Sequence, residues 1–261
     1  MKRFKVLHKS FSKPISCLTA YSPSIAKILD GKVDLILVGD SLGSTLYGMK
    51  NTRGVTMDMM KNHGVVVNKE IKRSLKVLDM PYKTYDNKFD AYKNAKTLLY
   101  HCKPDLLKIE ISEKKLVVLK HLVDKKINVI SHIGVTPQSY KNFNKIKVLG
   151  RTNKEKQNLL KLAIESETLG AKAVLLECIT ADTAKLITEN ISIPTIGIGA
   201  SRYCDGQVLV FDDLINLSTN EKKPKFVKNY FNFNKIVSNV VKKYNREVKL
   251  KKFPSSKFTY N

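Results

Sequence analysis

The chain has 261 residues, 43% of them hydrophobic and 27% charged, with 47 Lys and Arg against 23 Asp and Glu for a formal net charge of +24. That is the composition of a globular chain with a sizeable core, in one large α/β domain or two small ones. Its longest apolar runs, such as AVLLECI at 173–179, are far short of a membrane span, and the basic N-terminus lacks the continuous apolar region of a secretory signal.

A cytoplasmic protein is therefore expected. Cys17, Cys102, Cys178 and Cys204 make no C-x-x-C pair, which fits reduced thiols and argues against a zinc site. The charge is carried by lysine, since only Arg3, Arg53, Arg73, Arg151, Arg202 and Arg246 are arginine. A nucleic-acid surface would concentrate its charge and favour the bidentate geometry of arginine. Scattered lysines instead describe a solvated surface that helps to attract anionic substrates.

In chain order, short apolar segments read as strands: 15–21, 35–41, 75–80, 106–111, 127–135, 173–178, 194–200 and 207–213. Helix-like stretches lie between several of them, at 22–30, 89–102, 113–125, 155–170 and 180–190. In the fourth, apolar residues at 159, 160, 162, 163 and 164 make a broad stripe, and Gly170 follows as a C-terminal cap. Parallel neighbours need crossovers, and eight strands close a (β/α)8 TIM barrel of this length. An open doubly wound sheet is the alternative. With no Pro/Gly/Ser-rich linker, residues 1–261 read as a single barrel domain with a helical tail at about 222–261.

The strands end in polar residues. Asp40 and Ser41 close the second and Asp79 the third; Lys108 and Glu110 share one face of the fourth, His132 stands late in the fifth, and Glu177 ends the sixth. In a barrel those C-terminal ends converge on one mouth. One strand ending in Asp is ordinary, because Asp caps helices and starts turns. Four buried carboxylates together require a metal, a proton or a partner lysine. Oxygen ligands without cysteine favour Mg²⁺, whose open positions suit a 2-oxo acid, and a further carboxylate could remove the proton beside the polarised carbonyl.

The segments LTAY, VDLILVGDSLG, DMPY, KIE, SHIGVTPQS, LLECI, IPTIGIGA, CDGQVLV and KFVKNY occur in an order and spacing that resembles the ketopantoate hydroxymethyltransferase family, from about residue 15 to 254. The resemblance implies a barrel of the phosphoenolpyruvate/pyruvate superfamily, assembled as a decameric homo-oligomer. It implies transfer of a hydroxymethyl group from methylenetetrahydrofolate to 3-methyl-2-oxobutanoate, giving 2-dehydropantoate for pantothenate synthesis. By motif position, Asp40 and Asp79 would hold Mg²⁺ with Glu110 in or near its shell. Asp40, Ser41, Asp79 and Lys108 would bind the 2-oxo acid, Glu177 would be the base, and His132 would orient. His63 matches a family position but reads as structural. The glycines of GIGAS could cradle an anion or simply allow close packing, and Cys178 and Cys204 read as packing residues.

The sequence departs from the family pattern at Ser22, in the loop KNTRGVT (50–56), at Ile111-Ser112, at Asn144–Ile146 and at Ser201. Two rival readings are a diverged relative using the same chemistry for a lyase or aldol reaction on another 2-oxo acid, and a non-catalytic barrel that binds polyanions. GDSL also begins the nucleophile block of a serine esterase family. That chemistry needs a histidine base in Asp-x-x-His near the C-terminus, and no histidine follows His132.

Overall fold

A computed structural model describes residues 3–9, 13–217 and 224–260. Residues 222 and 223, where the tail was expected to start, lie outside the described residues, as does Asn261. The first half of the barrel runs β1 (Ile15–Thr19), α1 (Pro23–Leu29), β2 (Leu35–Val38), α2 (Leu42–Leu46), α3 (Met57–Glu70), β3 (Leu75–Asp79), α4 (Lys88–Cys102) and β4 (Leu106–Glu110). The second half runs α5 (Leu116–Asp124), β5 (Val129–Gly134), α6 (Asn153–Thr168), β6 (Ala173–Glu177), α7 (Ala181–Asn190), β7 (Thr195–Ile198) and β8 (Gly206–Leu209). All eight strands are parallel and close in sequence order, β8 pairing back to β1.

Side-chain caps start most of the long helices. Thr56, Asn87 and Thr152 each accept a hydrogen bond from the first turn of α3, α4 and α6, and Thr152 with Glu155 forms a reciprocal capping box. The crossover from β7 to β8 differs from the expected pattern. Residues 199–205 carry no helix, and the two strands share only the rungs Ile196↔Gly206 and Gly197↔Gln207. Gly206 makes the close approach possible, since a Cβ there would stand 2.6 Å from the Ile15 carbonyl oxygen.

The barrel floor is apolar. Cys17, Leu35, Leu37, Leu75, Val77, Leu106, Ile130, Leu175, Ile196 and Val208 form one buried cluster, closed below by Val6 and Leu7 from the turn Arg3–Leu7. Each fully buried aliphatic side chain contributes about 1.5–3 kcal/mol. This layer stabilises the barrel, and the layer above it is free to carry chemistry at a cost in stability.

The chain divides into two compact units, Met1–Val210 and Phe211–Asn261. The eighth strand ends at Leu209 rather than 213, and Phe211 opens a short helix, α8 (Phe211–Leu214), of the second unit. The helix expected over 226–248 is one helix, α9 (Phe233–Lys249), capped by Asn232. Its apolar residues Ile236, Val237, Val240, Val241 and Tyr244 recur at helical spacing and are exposed. Among the described residues no helix is long and apolar enough to cross a membrane.

Candidate active site

Strand periodicity builds the site. Asp79 continues the inward row Leu75–Val77, Lys108 and Glu110 follow Leu106, His132 follows Ile130, and Glu177 follows Leu175. These side chains therefore rise above the apolar floor at the C-terminal ends of β3 to β6. The ladder makes Asp79 the direct partner of Lys108 and Glu110 that of His132. Asp79, Lys108, Glu110 and His132 are all buried, whereas Glu177 is half-buried.

Asp40 joins them from the turn after β2. Its backbone N–H donates to Asp79 Oδ2 at 3.0 Å. Gly39 permits this approach, because a Cβ there would lie 2.9 Å from Ser41 Oγ and 3.4 Å from Asp79 Oδ2. Lys108 Nζ stands 3.1 Å from Asp79 Oδ1 and 3.4 Å from His132 Nδ1. Ser41 Oγ is 2.7 Å from the Tyr21 hydroxyl, and the Tyr21 carbonyl oxygen lies 2.7 Å from His63 Nδ1. His63 Nε2 lies 3.0 Å from the Tyr47 hydroxyl, so this histidine props the Ser41 corner from behind.

At the other side of the mouth, His132 Nε2 lies 3.2 Å from Glu177 Oε2, and His132 Nδ1 lies 3.9 Å from Glu110 Oε1. Sequence reasoning missed the residue that ties these groups together. Gln138, in the turn Pro137–Ser139 after β5, donates its side-chain amide to Asp40 Oδ2 at 2.7 Å and its backbone N–H to Glu110 Oε1 at 3.0 Å. The buried Tyr85 hydroxyl donates to Gln138 Oε1 at 2.5 Å and accepts the Glu110 N–H at 3.1 Å. The only sequence signal was the place of Gln138 in SHIGVTPQS; Tyr85 lies just beyond DMPY, outside every segment singled out.

Asp40, Asp79 and Glu110 face a single lysine here, and burial shifts two of them. It pushes the Asp79 carboxyl up to about 7, Lys108 opposing and Asp40 adding to the shift. Burial likewise holds Glu110 well above the usual carboxylate range, with Asp40 reinforcing it. For Lys108, burial works against the charge, but Asp79, Asp40 and Glu110 outweigh it and keep the ammonium protonated. Burial and then Lys108 lower His132 below its ordinary value, which leaves a neutral imidazole at neutral pH.

A divalent cation fits this donor set. Asp79 Oδ1 is buried with the Lys108 ammonium 3.1 Å away as its counter-charge, and the excess of carboxyl groups over that one lysine asks for a cation or for protons. The donors are hard oxygens. Among the described residues no three His, Cys, Asp or Glu side chains surround one point, so Asp40, Asp79 and Glu110 do not make a ready-made three-ligand cage. Mg²⁺ needs none, since it usually takes one or two carboxylates and fills its octahedron with water and substrate oxygens.

The positions that depart from the family pattern are built into the frame. Ser22 caps α1, Ile111 is buried beyond β4, and Ser201 Oγ accepts the Tyr203 N–H at 3.2 Å. In the loop 50–56, Asn51 donates to the Lys141 carbonyl oxygen at 2.9 Å, and the Arg53 guanidinium stacks 4.1 Å from the centroid of the Tyr82 ring. Asn144–Ile146 falls in and just after the turn Phe143–Lys145. Of the glycines in GIGAS, Gly197 serves packing, as a Cβ there would meet Cys204 Sγ at 3.0 Å. Cys204 is buried and Cys178 partly so, and burial pushes the Cys178 thiol up to about 12.

Among solved structures, the fold is similar to that of phosphonopyruvate hydrolase in complex with oxalate and Mg²⁺, with TM-score 0.62 at 11% identity over 98% of this chain and 93% of that one. Oxaloacetate acetylhydrolase in complex with 3,3-difluorooxalacetate gives TM-score 0.62 at 10% identity over 98% and 97%. At these identities the likeness is one of fold alone. In sequence, the chain is 43% identical over 259 residues to 3-methyl-2-oxobutanoate hydroxymethyltransferase of Pelagibacter ubique, covering 99% of both chains. It is 40% identical over 247 residues to the protein of that name from Anaplasma marginale, covering 95% of this chain and 88% of that one. The ketopantoate hydroxymethyltransferase family pattern matches residues 2–256. With its strand-end carboxylates, lysine and histidine gathered at one mouth, the chain belongs to the ketopantoate hydroxymethyltransferase family, and it is an enzyme of the transferase class.

Proposed function

We propose that this enzyme transfers a hydroxymethyl group from methylenetetrahydrofolate to 3-methyl-2-oxobutanoate, giving 2-dehydropantoate, with Mg²⁺ held by Asp40 and Asp79. The observation that carries the reading is the half-buried Glu177 carboxylate, backed by His132 at 3.2 Å and set beside the Asp40–Asp79–Lys108 cluster. When bound, the metal would draw electron density from the 2-oxo group and make the C3 proton acidic.

The side chains supply the rest. Lys108, kept charged by three carboxylates, pairs with the negative charge that grows on the substrate. Ser41, aimed by Tyr21, donates a hydrogen bond to the substrate carboxylate. Glu177 takes the C3 proton as general base. His132, held below its ordinary value by burial, lies 3.2 Å from the Glu177 carboxylate and keeps it in place. The electron pair left at C3 forms the new C–C bond to the folate methylene carbon, and both C–N bonds of that carbon break in turn; one folate nitrogen takes the proton that Glu177 removed, the other takes a proton from water, and the remaining OH of that water becomes the product hydroxyl. Glu110, engaged by Gln138, acts from outside the direct metal ligands.

The test is proton exchange. Incubation with 3-methyl-2-oxobutanoate and Mg²⁺ in D₂O should exchange the C3 proton, followed by NMR, and addition of methylenetetrahydrofolate should give 2-dehydropantoate. Exchange should vanish in Glu177→Gln. Exchange without any product on adding folate would reject the one-carbon step, and no exchange at all would reject the 2-oxo acid.

A further inference from the structure

Gln138 lies in the turn Pro137–Ser139 after β5. It is 4% exposed, and its polar groups reach residues from three strand ends. The amide nitrogen donates to Asp40 Oδ2 at 2.7 Å and to the Met80 carbonyl oxygen at 3.1 Å. The amide oxygen accepts from Tyr85, and the backbone N–H goes to Glu110 Oε1. Two acceptors on one side and a hydroxyl donor on the other leave a single way to orient the amide.

We propose that Gln138 is a positioning residue of the active site, holding Asp40 and Glu110 in the orientation that receives a divalent cation and the 2-oxo acid. The proposal rests on the assignment of Asp40 as a metal ligand given above. Its physical content is a wedge of donors between two carboxylates. Both acids are buried near one another, and ionising both would set like charges side by side. N–H groups aimed at one oxygen of each relieve that repulsion before any cation arrives. Committing Asp40 Oδ2 to Gln138 also fixes the carboxylate plane and leaves Oδ1 for a ligand. Outer partners of metal-binding side chains that fix their orientation are commonly worth 10- to 100-fold in metal affinity or activity.

The experiment measures Mn²⁺ binding by electron paramagnetic resonance, and KM and kcat for 3-methyl-2-oxobutanoate, on the full chain. Wild type, Gln138→Met, Tyr85→Phe and Asp40→Ala are compared. Gln138→Met keeps volume and shape while removing both donors and the acceptor. It should weaken Mn²⁺ binding about 10- to 100-fold and raise KM by a similar factor. Tyr85→Phe should shift both in the same direction by a smaller factor. A residue that only tied loops together would lower the melting temperature or the active fraction with the Mn²⁺ dissociation constant and KM unchanged. A folded Gln138→Met with wild-type Mn²⁺ affinity and KM overturns the proposal while leaving the metal site intact. Should Gln138→Met fail to fold, Tyr85→Phe decides, and wild-type affinity there overturns it. Wild-type protein that binds no more Mn²⁺ than Asp40→Ala would instead remove the metal assignment, and this proposal with it.

Discussion

His132 Nε2 lies 3.2 Å from Glu177 Oε2, joining the end of β5 to the end of β6 at the rim of the barrel. Burial holds the imidazole below its ordinary value, and under the proposed function its part is to align Glu177. Replacing His132 by Ala should therefore lower kcat about 10- to 100-fold with little change in KM for the 2-oxo acid, because a misaligned base loses turnover before it loses binding. Steady-state kinetics on the folded variant decide this. A large rise in KM with kcat intact would assign His132 to substrate binding instead.

Glu177→Gln keeps the shape of the side chain and removes the base. General-base catalysis contributes about 10²- to 10⁴-fold, and the C3 exchange rate should fall by that range with Mn²⁺ affinity unchanged. Exchange near the wild-type rate would leave the proton to another group.

Backbone geometry around Glu177 gives a separate test. Gly134 pairs with Glu177 in the β5–β6 ladder at φ 93°, and a Cβ there would come within 2.4 Å of the Glu177 carbonyl oxygen. Gly134→Ala combines a left-handed backbone with a clash against main chain. It should cost at least about 2 kcal/mol in denaturant unfolding and reduce activity beyond that loss. An alanine variant with wild-type stability and turnover would contradict the placement of this strand end.

Far from the mouth, Asp30 accepts the N–H groups of Lys72, Arg73 and Ser74, each at 2.9 Å. Partial burial raises its carboxyl, but these N–H groups and the Ser74 side chain outweigh it and hold it below the ordinary 3.8. A carboxylate shifted down in this way stabilises the fold fully above 3.8 and ceases to do so as pH falls through the folded value. Asp30→Ala should cost about 1–2 kcal/mol at pH 7, and the gap to wild type should narrow below pH 4. A gap that widens in acid would reverse the sign and refute the assignment.

Metal occupancy should appear in stability. A ligand at about 100 times its dissociation constant adds about 2.7 kcal/mol. Thermal melts should rise on adding Mg²⁺ and fall with a chelator, and Asp40→Asn or Asp79→Asn should abolish the difference. A Mg²⁺ effect that survives in both variants would place the ion elsewhere.

Much of this was legible in the sequence because a parallel strand is buried on both faces. An apolar run that stops at Asp, Glu or His therefore marks both the strand end and the site. LILVGDS, LKVLDM and AVLLEC each announced themselves this way. The inward row, two residues apart, then carried Lys108, Glu110 and His132 to the same mouth. Gln138 and Tyr85 were not legible, since they sit in connecting segments and gain their meaning from partners such as Asp40, 98 residues away. The sequence offers no helix-like stretch between 194–200 and 207–213, and residues 199–205 carry none. How close the return runs is not legible locally, because the backbone that Gly206 approaches is that of Ile15, its ladder partner on β1 and distant in the chain.

The most direct test of the account is anomalous diffraction from crystals grown with Mn²⁺ and 3-methyl-2-oxobutanoate. The account predicts one manganese peak about 2.0–2.2 Å from carboxylate oxygens of Asp40 and Asp79, with the Glu177 carboxylate turned towards C3 of the bound acid. A peak away from both aspartates, or Glu177 pointing away from C3, would contradict it.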